Sequence, residues 1–204
     1  MPSFKVEGII LKRRDFGEAD RILTVFSLQR GKISVLAKGV RRITSRRAGN
    51  VELLNRVILY LYQGKQFYYL NEAEALDTYP KLKAELTLST YAFHILELVE
   101  RLTAEEQENT IVYEYLVEVL KRLSKNPRQI LIRAFEAKLL SNLGFISFLD
   151  TEDLLRKLQS YSWDEIEKIK INEKEALETE RVLRYYVEKV IEKPLKSRRF
   201  LKKI

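Results

Sequence analysis

The pattern of apolar and polar positions through the first 75 or so residues of the chain reads as strands. Phe4-Lys5-Val6-Glu7 alternates and leads into Ile9-Ile10-Leu11. Between Arg21 and Leu28, the residues Ile22, Thr24, Phe26 and Leu28 share one face, and Leu23 and Val25 take the other. Ile33, Val35 and Ala37 alternate with Lys32, Ser34, Leu36 and Lys38, while 57–62 and 67–70 are continuous apolar runs. Successive strand side chains point to opposite faces, so runs of this length, rich in β-branched and aromatic residues, predict five short strands. Gln29-Arg30-Gly31-Lys32 and Gln63-Gly64-Lys65 supply glycine-containing turns between neighbouring runs. Five strands in so little chain is what a small closed barrel needs. Between the third and fourth strands, the segment from Gly39 to Gly49 is basic, bracketed by glycines and weakly periodic, which predicts a long mobile loop.

From Pro80 the period becomes helical, with Leu82, Leu86, Phe93, Leu96 and Val99 at three-, four- or seven-residue steps. Thr103 and Glu106 have the spacing of a capping box before a second helix, whose stripe is Val112, Leu116, Val119 and Leu123. Asn126-Pro127 opens a third, with Ile132, Phe135, Leu139 and Leu143 as its stripe. Gly144 sits where a left-handed terminal residue is expected, with Phe145 folded back on Leu140. The charged stretch 150–178 predicts one or two short helices, and a last helix runs from about Glu180 to a stop before Pro194. The expected fold is therefore α+β in two domains, a five-stranded barrel over 1–78 and an all-helical domain over 79–204 that ends in a basic tail.

Charge sharpens this outline. The net charge of +8 is uneven. Residues 1–50 hold 12 Lys+Arg against 4 Asp+Glu, and residues 189–204 hold 7 against 1, whereas the stretch between is acidic. Two concentrated basic segments point to a polyanionic partner, because each neutralised phosphate releases counterions. A membrane is not expected as the partner, since no basic amphipathic helix with a large apolar face accompanies the N-terminal cations. The chain has no cysteine, which excludes disulfides and zinc sites built on thiolates. Neither a signal-like apolar run near Met1 nor a spanning stretch of about 20 apolar residues is present, so a soluble, cytoplasmic protein is expected.

Candidate catalytic chemistry is sparse. The single histidine, His94, lies within a predicted helix, where a structural role is the ordinary one. Gly31-Lys32-Ile33 and Gly64-Lys65-Gln66 lack the upstream glycine and the Ser/Thr of a phosphate loop, and no serine occupies a Gly-x-Ser-x-Gly elbow. Asp15, Glu18 and Asp20 would be a magnesium site only with a further ligand; otherwise they are turn residues balancing Arg13, Arg14 and Arg21. No enzyme activity, metal or cofactor is expected. Binding signals are richer. Lys38, Arg41, Arg42, Arg46 and Arg47 place five cations in ten residues, and Lys12, Arg13 and Arg14 close the first strand. Arginine bridges phosphate oxygens bidentately, so these are candidate nucleic-acid contacts. Lys196, Arg198 and Arg199 belong to the set as well, in a tail whose Leu195, Phe200 and Leu201 suggest that it docks. The aromatic residues Tyr60, Tyr62, Phe67, Tyr68 and Tyr69 either stack single-stranded bases or fill the core.

Three segments, in order along nearly the whole chain, resemble the bacterial RecO family. They are Gly8-Ile9-Ile10-Leu11-Lys12 through Glu18-Ala19-Asp20-Arg21-Ile22-Leu23 and on to Gly31–Arg42; Arg133-Ala134-Phe135-Glu136 with Leu139-Leu140 and Leu143-Gly144-Phe145; and Pro194-Leu195-Lys196-Ser197-Arg198. The resemblance implies an oligonucleotide-binding (OB) barrel followed by a helical domain. It implies binding to single- and double-stranded DNA and strand annealing in repair and recombination. It further implies work with RecR to load RecA on DNA coated by single-stranded-DNA-binding protein, in the cytoplasm at the nucleoid. The family's Arg-x-Phe-Glu arginine falls on Arg133, which the resemblance assigns to the acidic, aromatic-ended tail of the coat protein. Many members carry a four-cysteine zinc motif after the Leu-Gly-Phe segment; this chain has Ile146-Ser147-Phe148-Leu149-Asp150 there, so metal binding does not carry over. Two other readings remain at this point, an OB-fold protein acting on ribosomal or transfer RNA and a magnesium nuclease built on Asp15, Glu18 and Asp20.

Overall fold

A computed structural model describes residues 3–147, 153–191, 195 and 197. They fall into two compact units, Met1–Pro80 with Val99–Tyr113, and Lys81–Leu98 with Glu114–Ile204.

The first unit is built on five strands, β1 (Ser3–Phe16), β2 (Asp20–Ser27), β3 (Gly31–Ala37), β4 (Arg56–Gln63) and β5 (Tyr68–Asp77). They close a barrel in the order β1-β2-β3-β5-β4, in which only the β3–β5 contact is parallel. Closure depends on β1, which pairs with β4 through its first half and with β2 through its second. Gly8 lies at the handover, facing both Ser27 and Val57, and a Cβ there would come within 2.5 Å of the Val25 side chain. A bulge at Leu11 then turns β1 away. Alternation supplies the interior: Val6 and Ile10, Leu23 and Val25, Ile33 and Val35, Leu59 and Leu61 are all buried.

On the opposite faces of β2 and β3, Phe26 and Lys32 meet the segment 99–113 of the same unit. Phe26 packs on Tyr113, whose hydroxyl donates to Glu7 Oε1 at 3.0 Å. Lys32 Nζ donates to the carbonyls of Glu100 and Thr103, both at 2.6 Å, where helix α2 (Leu86–Leu102) ends. A cation suits that end of a helix. Burial pushes the Lys32 ammonium pKa down, against the opposing pull of Glu100 and Glu105.

The helix ends differ from the sequence expectation in three places, and within α2 the expected stripe residues Leu86 and Phe93 are exposed. Pro80 does begin a helix, but α1 (Pro80–Ala84) stops at Glu85 before α2 starts. The Thr103/Glu106 capping box does not form. Glu106 has a positive φ of 54° and its carboxylate accepts from the Tyr68 hydroxyl at 3.0 Å. Helix α3 (Thr110–Lys125) starts later, capped by Asn109 Oδ1, which accepts from Val112 N–H at 3.0 Å. The third difference is at the last helix, α7 (Glu173–Val190), which begins seven residues before the expected Glu180, on a capping box of Asn172 and Glu175. Before it, the charged stretch forms two short helices, α5 (Asp153–Ser160) and α6 (Trp163–Lys168), as expected.

Helix α4 (Gln129–Asn142) centres the second unit and packs against α5, α6 and α7. Its buried positions run all round, including Glu136 and Lys138. Its end has the expected backbone, with Gly144 at φ 77°, Phe145 N–H donating to Leu140 O at 2.8 Å and Gly144 N–H to Ser141 O at 3.0 Å, although the Phe145 side chain is exposed. These two bonds define a Schellman motif.

Candidate nucleic-acid interface

The segment between β3 and β4 carries five of the eleven candidate cations, and it is held rather than mobile. Val40, Val51 and Leu54 are buried and act as its anchors. Gly39 N–H donates to Asp20 Oδ1 at 2.7 Å, and Arg41 N–H to Ala19 O at 2.9 Å. Asn50 Nδ2 donates to Ala73 O at 2.7 Å, and Asn55 Nδ2 to the carbonyls of Gly49 and Asn50. The expectation of a mobile loop came from its lack of period; isolated apolar anchors and side-chain bonds to backbone produce none.

Fixed geometry sorts the cations into two groups. Arg47 turns inward and donates to three carbonyl oxygens, Lys38 at 2.8 Å, Leu70 at 2.9 Å and Asn71 at 3.1 Å. Arg41 reaches the β1–β2 turn, 3.3 Å from Asp15 and within bonding range of the Gly17 and Glu18 carbonyls. Arg13 pairs with Glu52, and Lys12 with Glu100 at 3.0 Å. By contrast, Arg14, Arg42 and Arg46 are exposed and have no carboxylate partner among the described residues. Lys38 is exposed as well, with its ammonium 4.9 Å above the Tyr69 ring. Lys196, Arg198 and Arg199 lie outside the described residues.

The acidic trio belongs to this scaffold. Arg21 binds Asp15 at 2.9 Å, and that hydrogen bond, with the charges of Arg41 and Arg13 outweighing burial, lowers the Asp15 pKa. Asp20 accepts from Gly39. Among the described residues no group of three or more His, Asp or Glu is arranged to hold a metal ion. Of the aromatic set, one ring fills the core and two stack on each other. Tyr68 is in the barrel core, while Tyr62 and Tyr69 are half-buried cross-strand partners, stacked at 5.1 Å with planes 10° apart. Sequence reasoning passed over Arg30, whose guanidinium lies 4.5 Å over the Phe4 ring. Its only sequence signal was its place in a turn between two strands.

In the helical unit, Arg133 does not stand alone. It binds Glu136 at 2.8 Å and Glu180 at 3.2 Å. It lines a cleft of about 430 Å³ with Ile130, Leu154, Leu158, Leu177 and Glu180. His94 has the structural role expected of it, fully buried with Nε2 2.6 Å from Glu136 and Nδ1 3.1 Å from Ser197 Oγ. Burial alone would raise the Glu136 carboxyl pKa, but the Arg133 charge and the His94 hydrogen bond overcome it and hold the group at about 2. Ser197 also donates through N–H and Oγ to Glu97, at 2.8 and 2.6 Å, so this part of the tail docks, with Leu195 buried beside it in sequence.

A five-stranded closed barrel of this strand order, with its cations on the loops that end the strands, defines the class of OB-fold proteins. Family profiles narrow the class. That for "Recombination protein O N terminal" matches residues 1–79, and that for "Recombination protein O C terminal" matches 84–152 and 149–199. The chain belongs to the RecO family. It is 36% identical over 150 residues to the DNA repair protein RecO of Pelotomaculum thermopropionicum, covering 74% of this chain and 59% of that protein. The corresponding protein of Acetivibrio thermocellus is 35% identical over 153 residues, 74% of this chain and 61% of its own. These two matches span about three fifths of the relatives' length. That of Desulforamulus reducens, 26% identical, aligns along all of this chain and 96% of its own.

Proposed function

We propose that the protein is a DNA-binding recombination mediator in DNA repair. It binds single- and double-stranded DNA, anneals complementary strands and acts without catalysis. With RecR it helps load RecA onto DNA coated by single-stranded-DNA-binding protein. The observation that carries this reading is the set of exposed, unpaired arginines, Arg14, Arg42 and Arg46, on a rigidly held barrel loop and the strand beside it. Cations without carboxylate partners keep their full charge for phosphates. Annealing needs only charge neutralisation and strand presentation, and the relatives' name, DNA repair protein RecO, agrees with it. Lys196, Arg198 and Arg199 are further candidate phosphate contacts. No helix among the described residues is long and apolar enough to cross a membrane.

The decisive experiment is annealing of complementary oligonucleotides coated with the cognate single-stranded-DNA-binding protein. Acceleration by this chain, lost on joint replacement of Arg14, Arg42 and Arg46 by Ala, is expected. No acceleration by the wild type would overturn the reading. Cleavage of labelled strands with magnesium, abolished by Asp20→Ala, would overturn its non-enzymatic part.

The acidic, aromatic-ended tail of the coat protein is assigned to the Arg133 cleft. An incoming carboxylate exchanges with Glu180 at the guanidinium, and the ring enters among Ile130, Leu154 and Leu158. Arg133→Ala should abolish binding of such a peptide; unchanged binding would end the assignment.

A further inference from the structure

The segment between β3 and β4 places one apolar side chain where the fold has no use for it. Ile43 is fully solvent-exposed, at 105% of its reference area. The backbone under it is fixed through Gly39 on Asp20, Arg47 on three carbonyls and Asn50 on Ala73. On either side in sequence stand Arg42 and Arg46, exposed and without carboxylate partners among the described residues. A second exposed apolar side chain, Phe16 at 45%, closes β1 at the turn that Arg41 ties to this loop.

We propose that Ile43 is a wedge that enters between adjacent bases of a DNA strand while Arg42 and Arg46 hold the phosphates on either side. The inference deepens the DNA-binding reading and rests on it. The cations select a polyanion, and the largest apolar surface a nucleic acid offers an inserted side chain is the faces of its bases. Branched aliphatic side chains inserted at base steps are an established way of unstacking them. A rigid mount loses little conformational freedom on binding, which favours insertion over adjustment of a flexible tip.

The test uses the full chain and a single-stranded oligonucleotide carrying 2-aminopurine, whose fluorescence rises when it is unstacked. Wild type should raise the signal. Ile43→Ala, at saturating protein, should lose most of the rise, bind about tenfold more weakly and keep the same salt dependence. Ile43→Leu should keep the rise. An undiminished rise with Ile43→Ala, or wild type bound without any rise, overturns the wedge and leaves the DNA-binding reading in place; absence of binding by wild type ends both. Vesicles of phosphatidylglycerol and phosphatidylcholine form a further arm. If Ile43→Ala abolishes vesicle binding but leaves the 2-aminopurine rise unchanged, the tip serves a lipid surface and the wedge is wrong.

Discussion

Arg46 and Arg47 are neighbours of identical chemistry, yet their replacement by Ala should have opposite signatures. Arg47→Ala removes the donor for three carbonyl oxygens, Lys38, Leu70 and Asn71, at 2.8–3.1 Å. Hydrogen bonds from a charged donor contribute roughly 1.5–3 kcal/mol each when the acceptor is left unsatisfied. The Leu70 carbonyl is partly buried, and the other two bonds are near solvent, where water replaces the lost donor. Counting one bond near the lower figure and about 0.5 kcal/mol for each of the others gives a loss of about 2–3 kcal/mol. For a chain of this length, that lowers the midpoint of thermal unfolding by about 4–12 °C. Arg46→Ala touches none of these bonds, so its stability should stay within about 0.5 kcal/mol of wild type. On DNA the order reverses. Losing one phosphate contact at position 46 should reduce the salt slope of log affinity by about 0.7 on single strands and 0.9 on duplex. Calorimetry of the two variants, with DNA titrations at several salt concentrations, reads both quantities. If Arg47→Ala melts like wild type and flattens the salt slope by the same amount as Arg46→Ala, the division of this loop into supporting and binding arginines is wrong.

Three further outcomes follow from the described contacts. Glu136, lowered from 4.5 to about 2, is worth about 3 kcal/mol of pH-dependent stability. A folded-state pKa below the unfolded one means that this contribution is complete above about pH 4.5 and vanishes as the pH falls towards 2. Urea unfolding between pH 6 and 2.5 should therefore show a weaker acid loss in Glu136→Gln than in wild type; equal slopes would contradict the assignment. Gly31→Ala places a Cβ 1.9 Å from the Gln107 carbonyl oxygen at a φ of 62°, and should cost about 2–4 kcal/mol by urea denaturation. Asn109→Ala removes the cap of α3 and should cost about 1 kcal/mol in the same assay.

The strands were legible because one face of each fills a barrel, and that requirement writes a period of two into residues such as Ile33, Val35 and Ala37. The Gly144 terminus was legible for a similar reason, since its hydrogen bonds are made within six residues. What escaped the sequence was long in reach. Thr103 and Glu106 have the spacing of a cap, but Glu106 is drawn to Tyr68, 38 residues away in the chain. The start of α7 carries mostly charged residues on an exposed surface, so no apolar stripe announced it. In the basic loop, charge density correctly marked a region of unusual cations. Nothing local separated Arg47, which meets β5, from Arg46, which meets solvent. The His94 network likewise joins side chains 42 and 103 positions apart.

The Ser197 clamp on α2 also sets a timetable for synthesis. The barrel unit has all of its chain once Tyr113 has left the ribosome. Ser197, which closes over His94 and Glu97, emerges roughly 84 residues later, about 4–17 seconds at ordinary elongation rates. The C-terminal end of α2 is thus secured early, and its middle waits for its cover. A ribosome stalled within that window would carry a finished barrel on an unfinished helical unit, with the His94 side of α2 open to chaperones and proteases.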